Sequence, residues 1–155
     1  MKITTLTMCL VGALAIFTSA ADAERVTVRA PIQVQLEVPG CFVNGPLTLK
    51  GSAILDCEFR LPRFSLLVDA QVRPDASAFS PPNHGYRVEG TTTARATAPG
   101  FLNGQTTVTF PGSFRIDAGV VHLEIKYTAH LTFQLTPGGR IVLQSVSYDN
   151  FEVVC

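Results

Sequence analysis

Apolar and polar residues alternate with a period of two along most of this 155-residue chain. In VHLEIKYTAHLTFQL (121–135) every odd position is apolar or small and every even position is polar. Successive side chains on a strand point to opposite faces, so this reads as one long two-sided β-strand. Residues 26–38 repeat the pattern, with Val26, Val28, Ala30, Ile32, Val34, Leu36 and Val38 on one face. Residues 47–61, 64–73 and 86–98 follow. Shorter runs at 106–110 and 113–117 flank Pro111-Gly112, and 120–135 and 140–155 complete the chain. Gly51 interrupts the third run and predicts a bulge, and a slip in apolar parity between Leu143 and Val146 predicts another. Turn signals at 39–40, 44–46, 81–85, 99–104, 111–112, 117–119 and 137–139 separate the runs, and Pro74 to Gly85 reads as the longest loop. No helical period persists after the first 23 residues. The expected fold is all-β: a single antiparallel β-sandwich or β-barrel of about eight long strands, with no helix in the mature chain.

The first 23 residues follow a different rule. MKITTLTMCLVGALAIFTSAADA has a basic Lys2, an apolar stretch from Leu10 to Phe17 and a small-x-small Ala21-Asp22-Ala23. That is the form of a signal peptide, with 24–155 as one all-β domain and the product secreted, extracellular or periplasmic. The apolar stretch is shorter than the roughly 20 residues that a spanning helix needs. The chain has 12 Lys+Arg and 12 Asp+Glu. Lys2 and Asp22 leave with the leader, so the balance stays even. No basic excess points to nucleic acid.

Export favours disulfides. Removing Cys9 with the leader leaves Cys41, Cys57 and Cys155, an odd number, so one thiol is left over. Cys57 and Cys155 lie on apolar strand faces and Cys41 follows a Pro-Gly turn. Cys155 is the expected half of a bridge, with its partner open. The spare thiol is either buried and inert or joins two chains into a homodimer.

Candidate chemistry is sparse. His122 and His130 are about 26 Å apart along an extended strand, too far to share a metal or a proton. Asp56 and Glu58 share a strand face with Lys50 and Arg60, which reads as a charged sheet surface. Thr91, Thr93, Thr97, Thr107 and Thr109 suit exposed strand positions. No nucleophile elbow, metal-binding helix motif, phosphate loop or dinucleotide fingerprint is present. The expectation is no enzyme, no cofactor and no metal.

The segment around 86–98 carries more. Its apolar parity holds the small residues Gly90, Thr92, Ala94, Ala96 and Ala98. Large residues occupy facing strands, among them Phe110, Phe114, Leu131 and Phe133. Large against small gives either a filled core or room for an apolar ligand. The functional expectation is a secreted non-enzymatic β-domain that binds a hydrophobic or lipid-like small molecule in an apolar interior. The alternative is a structural, adhesive or matrix surface protein acting through self-association. An outer-membrane barrel fits the alternation but not the absence of Trp, the ten prolines or the terminal Cys. IQVQLEVPGCFVNG resembles the N-terminal strand of secreted pilin-like β-proteins, and GRIVLQSVSYDNFEVV resembles the late sheet of insect hydrophobic-ligand carriers. Each likeness covers under about a tenth of the chain and consists mainly of alternation, which any strand shares. No residue role is carried over from either.

Overall fold

A computed structural model describes residues 10–11, 24–38, 45–61, 65–119 and 121–155. The rest of the expected signal peptide, and Cys41, lie outside the described residues. The strands are β1 (Leu10–Val11), β2 (Glu24–Leu36), β3 (Leu47–Arg60), β4 (Leu66–Ser80), β5 (His84–Glu89), β6 (Thr92–Ala98), β7 (Gln105–Ala118), β8 (Val121–Leu135) and β9 (Ile141–Val154). From β2 to β9 they form eight antiparallel strands in a nearly closed, barrel-like sheet. Among the described residues no helix is long and apolar enough to cross a membrane.

The alternation has a direct outcome. On β2, Val26 to Leu36 point inward and are buried, while Arg25, Thr27, Arg29, Gln33 and Gln35 point outward. Burial of β3, β4, β7, β8 and β9 follows the same parity, and their inward residues form one hydrophobic cluster. An apolar inside and a polar outside reverse the pattern of a lipid-facing barrel. The apolar face of 121–135 therefore presses on the barrel's own interior. Phe59 of β3 and Phe133 of β8 meet across it, with ring centroids 5.1 Å apart. At about 25 cal/mol per Å² of apolar area removed from water, such inward faces supply the main stabilisation.

Connections follow a meander. Each long strand pairs with the one before it: β2 with β3, β3 with β4, β7 with β8, β8 with β9. The β5 and β6 segments both pair with β4 in one shared register, Ser77 opposite Arg87 and Val72 opposite Thr92. They are one strand broken at Gly90-Thr91. At the break Val88 and Glu89 turn away from β4 and pair with Ile116 and Arg115 of β7. Gly90 has φ +102°, a conformation that side-chain-bearing residues rarely adopt. On the opposite side of the break stands Pro74, which has no N–H to offer.

Prolines also explain where the sequence-based boundaries differ. Pro74 to Gly85 is no loop, because β4 runs on to Ser80 and only Pro81–Asn83 form the turn. Likewise 105–118 is one strand through Pro111-Gly112 rather than two. Pro31, Pro74 and Pro111 each lie where the strand is laddered on one side only: β2 to β3, β4 to β3, β7 to β8. A missing N–H costs no ladder bond on an open edge.

The bulges differ as well. The ladders run through Gly51 without a shift, from Ile32 on one side to Ala76 on the other. Its role is close approach: a Cβ there would lie 2.5 Å from Ala76 Cα and 2.6 Å from the Asp75 carbonyl oxygen. The expected slip in the last strand is present, where Thr132 pairs with Ser145 but Phe133 with Leu143. A second shift lies between Lys126 and Thr128, opposite Asn150, which has φ +51°.

Candidate functional site

The aromatic cluster at the β7–β9 end of the interior is the most distinctive chemistry in the barrel. Tyr127 of β8 is its centre. Its ring lies 4.6 Å from Phe114, 5.5 Å and edge-on from Tyr148, and 6.3 Å from Phe151, centroid to centroid. Gly112 makes the space, since a Cβ there would overlap the Tyr127 ring. The second bulge aims Phe151 into the cluster, because the extra residue at Asn150 restores inward parity after Tyr148.

Tyr127 and Tyr148 are 2% and 5% exposed; the Tyr148 hydroxyl has no hydrogen-bond partner, and that of Tyr127 has only Thr92 beside it. Thr92 lies beside the Tyr127 hydroxyl and favours its phenolate slightly; its Oγ1 also accepts from the Ser113 N–H at 3.0 Å and donates to the Ser113 carbonyl at 3.2 Å, which leaves one lone pair toward Tyr127. Burial pushes the Tyr127 phenol up to about 12 and the Tyr148 phenol higher still. Both remain neutral and keep an O–H to donate near pH 7. Leaving such a group unpaired in an apolar interior costs about 1–3 kcal/mol.

A cleft of about 470 Å³ opens beside this cluster at the strand break. Gly90, Thr91, Ser113, Phe114 and Leu123 contribute to its wall, with His122, Glu124 and Cys155 among its polar residues. Phe114 and Ser113 therefore separate the cleft from Tyr127. A second cleft, about 350 Å³, lies between Arg73–Ala76 and Arg87–Thr91, where β4 and the β5–β6 strand part. Its surroundings are charged: Arg73 pairs with Asp56 at 3.5 Å and Arg87 with Glu89 at 3.1 Å, and Asp75 pairs with Arg29.

The eight cavity candidates separate into three groups. Phe110, Phe114, Leu131 and Phe133 are buried in the hydrophobic cluster on adjacent strands. Ala94 and Ala96 are half-buried and pack against that cluster from β6, opposite Ala70 and Val68. Thr92 is half-buried and bonded to Ser113, whereas Gly90 is exposed at the strand break and lines both clefts. Tyr127, Tyr148 and Phe151 belong with them but show in the sequence only as inward positions. The available cue was that a phenol on an apolar strand face must carry its hydroxyl inside.

Of the cysteines, Cys57 is a free thiol, fully buried between Leu55 and Phe59 on the inward face. Burial first, then the carboxylates of Asp69 and Glu58, push it up to about 12. Cys57 is thus a buried thiol, with nothing exposed to join two chains. Cys155 is disulfide-bonded.

Outside the barrel, polar residues connect strands. Thr109, His130 and Asp149 form a row across β7, β8 and β9: His130 Nδ1 is 3.0 Å from Thr109 Oγ1 and its Nε2 is 2.9 Å from Asp149 Oδ1. The row has the composition of a hydroxyl–imidazole–carboxylate relay, but none of the three lines either cleft. It is a cross-strand tie. His122 is bonded to Asp117 across the β7–β8 hairpin. Asp56 accepts from Thr27 at 2.6 Å and Glu58 from Arg25 at 2.9 Å, so these carboxylates are tied to neighbouring strands. Hydrogen bonds from Arg95 hold the Asp69 carboxyl below its usual range. No group of three or more metal-ligating side chains occurs among the described residues.

No protein-family model matches the chain, and neither a curated protein nor a solved structure does.

Proposed function

We propose that this chain is an exported, non-enzymatic binding protein that holds a hydrophobic small molecule bearing a hydrogen-bonding group against the aromatic cluster. The observation that carries the reading is the buried, unpartnered hydroxyl of Tyr148 beside that of Tyr127, whose one polar neighbour among the described side chains is Thr92. Phenylalanine would pack the same volume without the desolvation cost, and buried polar groups in folded proteins nearly always have partners. A ligand acceptor atom near the two phenols supplies one. Phe114 belongs both to the cluster and to the wall of the neighbouring cleft, whose volume falls within the usual range for small-molecule sites, so a ligand entering there reaches the phenols by displacing its ring. The ligand's apolar body lies along Phe114 and Leu123, apolar side chains of the cleft wall.

Native mass spectrometry of the protein exported into an oxidising compartment tests this. A monomer carrying an extra lipid-sized mass that organic solvent releases supports the reading. A ligand-free monomer that takes up no lipophile from a mixed lipid extract overturns it. A ligand-free larger assembly overturns it in favour of a structural module working by self-association.

A further inference from the structure

Given a ligand held at the phenols, the directions of the hydrogen bonds around Tyr127 narrow its polar group to one class. A threonine hydroxyl has one hydrogen to donate and two lone pairs to accept with. Thr92 gives its hydrogen to the Ser113 carbonyl and one lone pair to the Ser113 N–H. Toward Tyr127 it can therefore only accept. Gly112, opposite Tyr127 in the ladder, fixes where that phenol ends: a Cβ on Gly112 would lie 2.4 Å from the Tyr127 hydroxyl oxygen. With its hydrogen turned to Thr92, the Tyr127 oxygen is left as an acceptor. The Tyr148 ring stands edge-on to the Tyr127 ring, and its hydroxyl hydrogen has nowhere to go. The open place beside the two phenols thus has one acceptor and one donor to satisfy.

A ketone, ether or ester oxygen accepts from Tyr148 but brings no hydrogen to Tyr127. A carboxylate has the same lack, and its charge would lose its hydration among the rings of Phe114 and Phe151. Water has two hydrogens and ordinarily needs about three polar partners, whereas here the remaining neighbours are aromatic carbon. An alcohol has one hydrogen and puts carbon where the second hydrogen of water would be. We infer, resting on the binding reading, that the ligand is an apolar alcohol whose hydroxyl donates to Tyr127 and accepts from Tyr148. The bonds then run one way: from Tyr148 to the ligand, from the ligand to Tyr127, from Tyr127 to Thr92, and from Thr92 to the Ser113 carbonyl of β7. The carbon body extends past Phe114 into the cleft.

The test is calorimetric titration of the exported protein with decanol, methyl nonyl ether and undecane, probes of equal length that differ in the polar group. The expected result is that decanol binds about tenfold more tightly than the ether or the alkane, the ether leaving Tyr127 unsatisfied. Tyr148→Phe should abolish that preference. Thr92→Val frees the Tyr127 hydrogen to turn to the ligand, so the ether should then bind as well as decanol. Thr92→Ser keeps both bonds to Ser113 and should keep the wild-type order. Wild-type protein that binds the ether as tightly as decanol overturns the alcohol assignment and leaves the binding reading standing. So does a decanol preference that survives Tyr148→Phe, a variant that keeps the ring and its packing. Uptake of none of the three probes overturns the assignment and the binding reading together.

Discussion

Replacing Gly51 with alanine tests the account of close strand approach at the centre of the sheet. The new Cβ would lie 2.5 Å from Ala76 Cα and 2.6 Å from Asp75 O, whereas ordinary contact begins at 3.4 Å. The obstacle is backbone, so no side-chain rotation relieves it. Either β3 and β4 separate by roughly 1 Å or the strand twists, and both act on ladders that run unbroken on each side of β3. Overpacking of this kind costs about 1–3 kcal/mol. Gly51 also has φ +147°, where a side chain adds strain of about 1–3 kcal/mol. The expected loss is therefore about 2–6 kcal/mol, a large part of a typical total of about 5–15 kcal/mol. Gly139→Ala separates the two contributions, because Gly139 has φ +77° but nothing within 4 Å of its would-be Cβ. It should cost only about 1–2 kcal/mol. Urea unfolding followed by circular dichroism gives both values from the midpoints at constant slope. A Gly51→Ala chain no less stable than Gly139→Ala would refute the close-approach account.

Other outcomes follow from the interior. Phe133→Ala should destabilise by about 3–5 kcal/mol in the same assay, because it removes the ring that meets Phe59. Cys57 should resist alkylation at pH 8 in the native protein and react fully once urea unfolds it, as peptide mapping would show. Stability should fall steeply in alkali. Cys57 ionises near 9.0 and Tyr127 near 10.0 when unfolded, but both are pushed up to about 12 in the fold, and Tyr148 also rises from 10.0. The unfolded chain binds fewer protons over that interval, so the stability present below pH 9 is lost as pH climbs toward 12. Phenolate absorbance of Tyr127 and Tyr148 should appear together with unfolding rather than before it. Tyr127→Phe and Tyr148→Phe should leave stability unchanged or raise it by up to about 2 kcal/mol, while weakening retention of any co-purifying ligand in native mass spectra.

Much of this architecture is legible in period-two alternation, because burying one face of a strand forces it. The inward residues of β2 and β8 can be read directly from the sequence. The slip at Gln144 shows because two apolar positions fall out of step. The second bulge is hidden: Asp149 and Asn150 separate Tyr148 from Phe151, and only pairing with β8 shows that both aromatics face inward. Prolines misled for a related reason. Whether Pro74 or Pro111 ends a strand depends on which of its edges is paired, and pairing is a long-range property absent from any local window. The candidate site was half visible. Phe114 and the alanines of β6 stood out by size, but the Tyr127 cluster depends on Gly112 lying opposite Tyr127, which is a matter of register. The Thr109–His130–Asp149 row is assembled from three strands and has no signature along any one of them.

The break at Gly90 has a consequence for how the molecule comes apart. Between β5 and β7 the ladder is two pairs long, while β7 and β8 share fourteen, and β2 and β9 share none. The β2–β6 half and the β7–β9 half are thus joined mainly by interior side chains such as Phe59 and Phe133 rather than by main-chain bonds. Local opening proceeds most readily where main-chain bonding is sparse, as along these two joins. A disturbance at the Phe59–Phe133 contact should loosen the mutual grip of the two halves while each half stays internally zipped, so the protein would open like a book before it unravels.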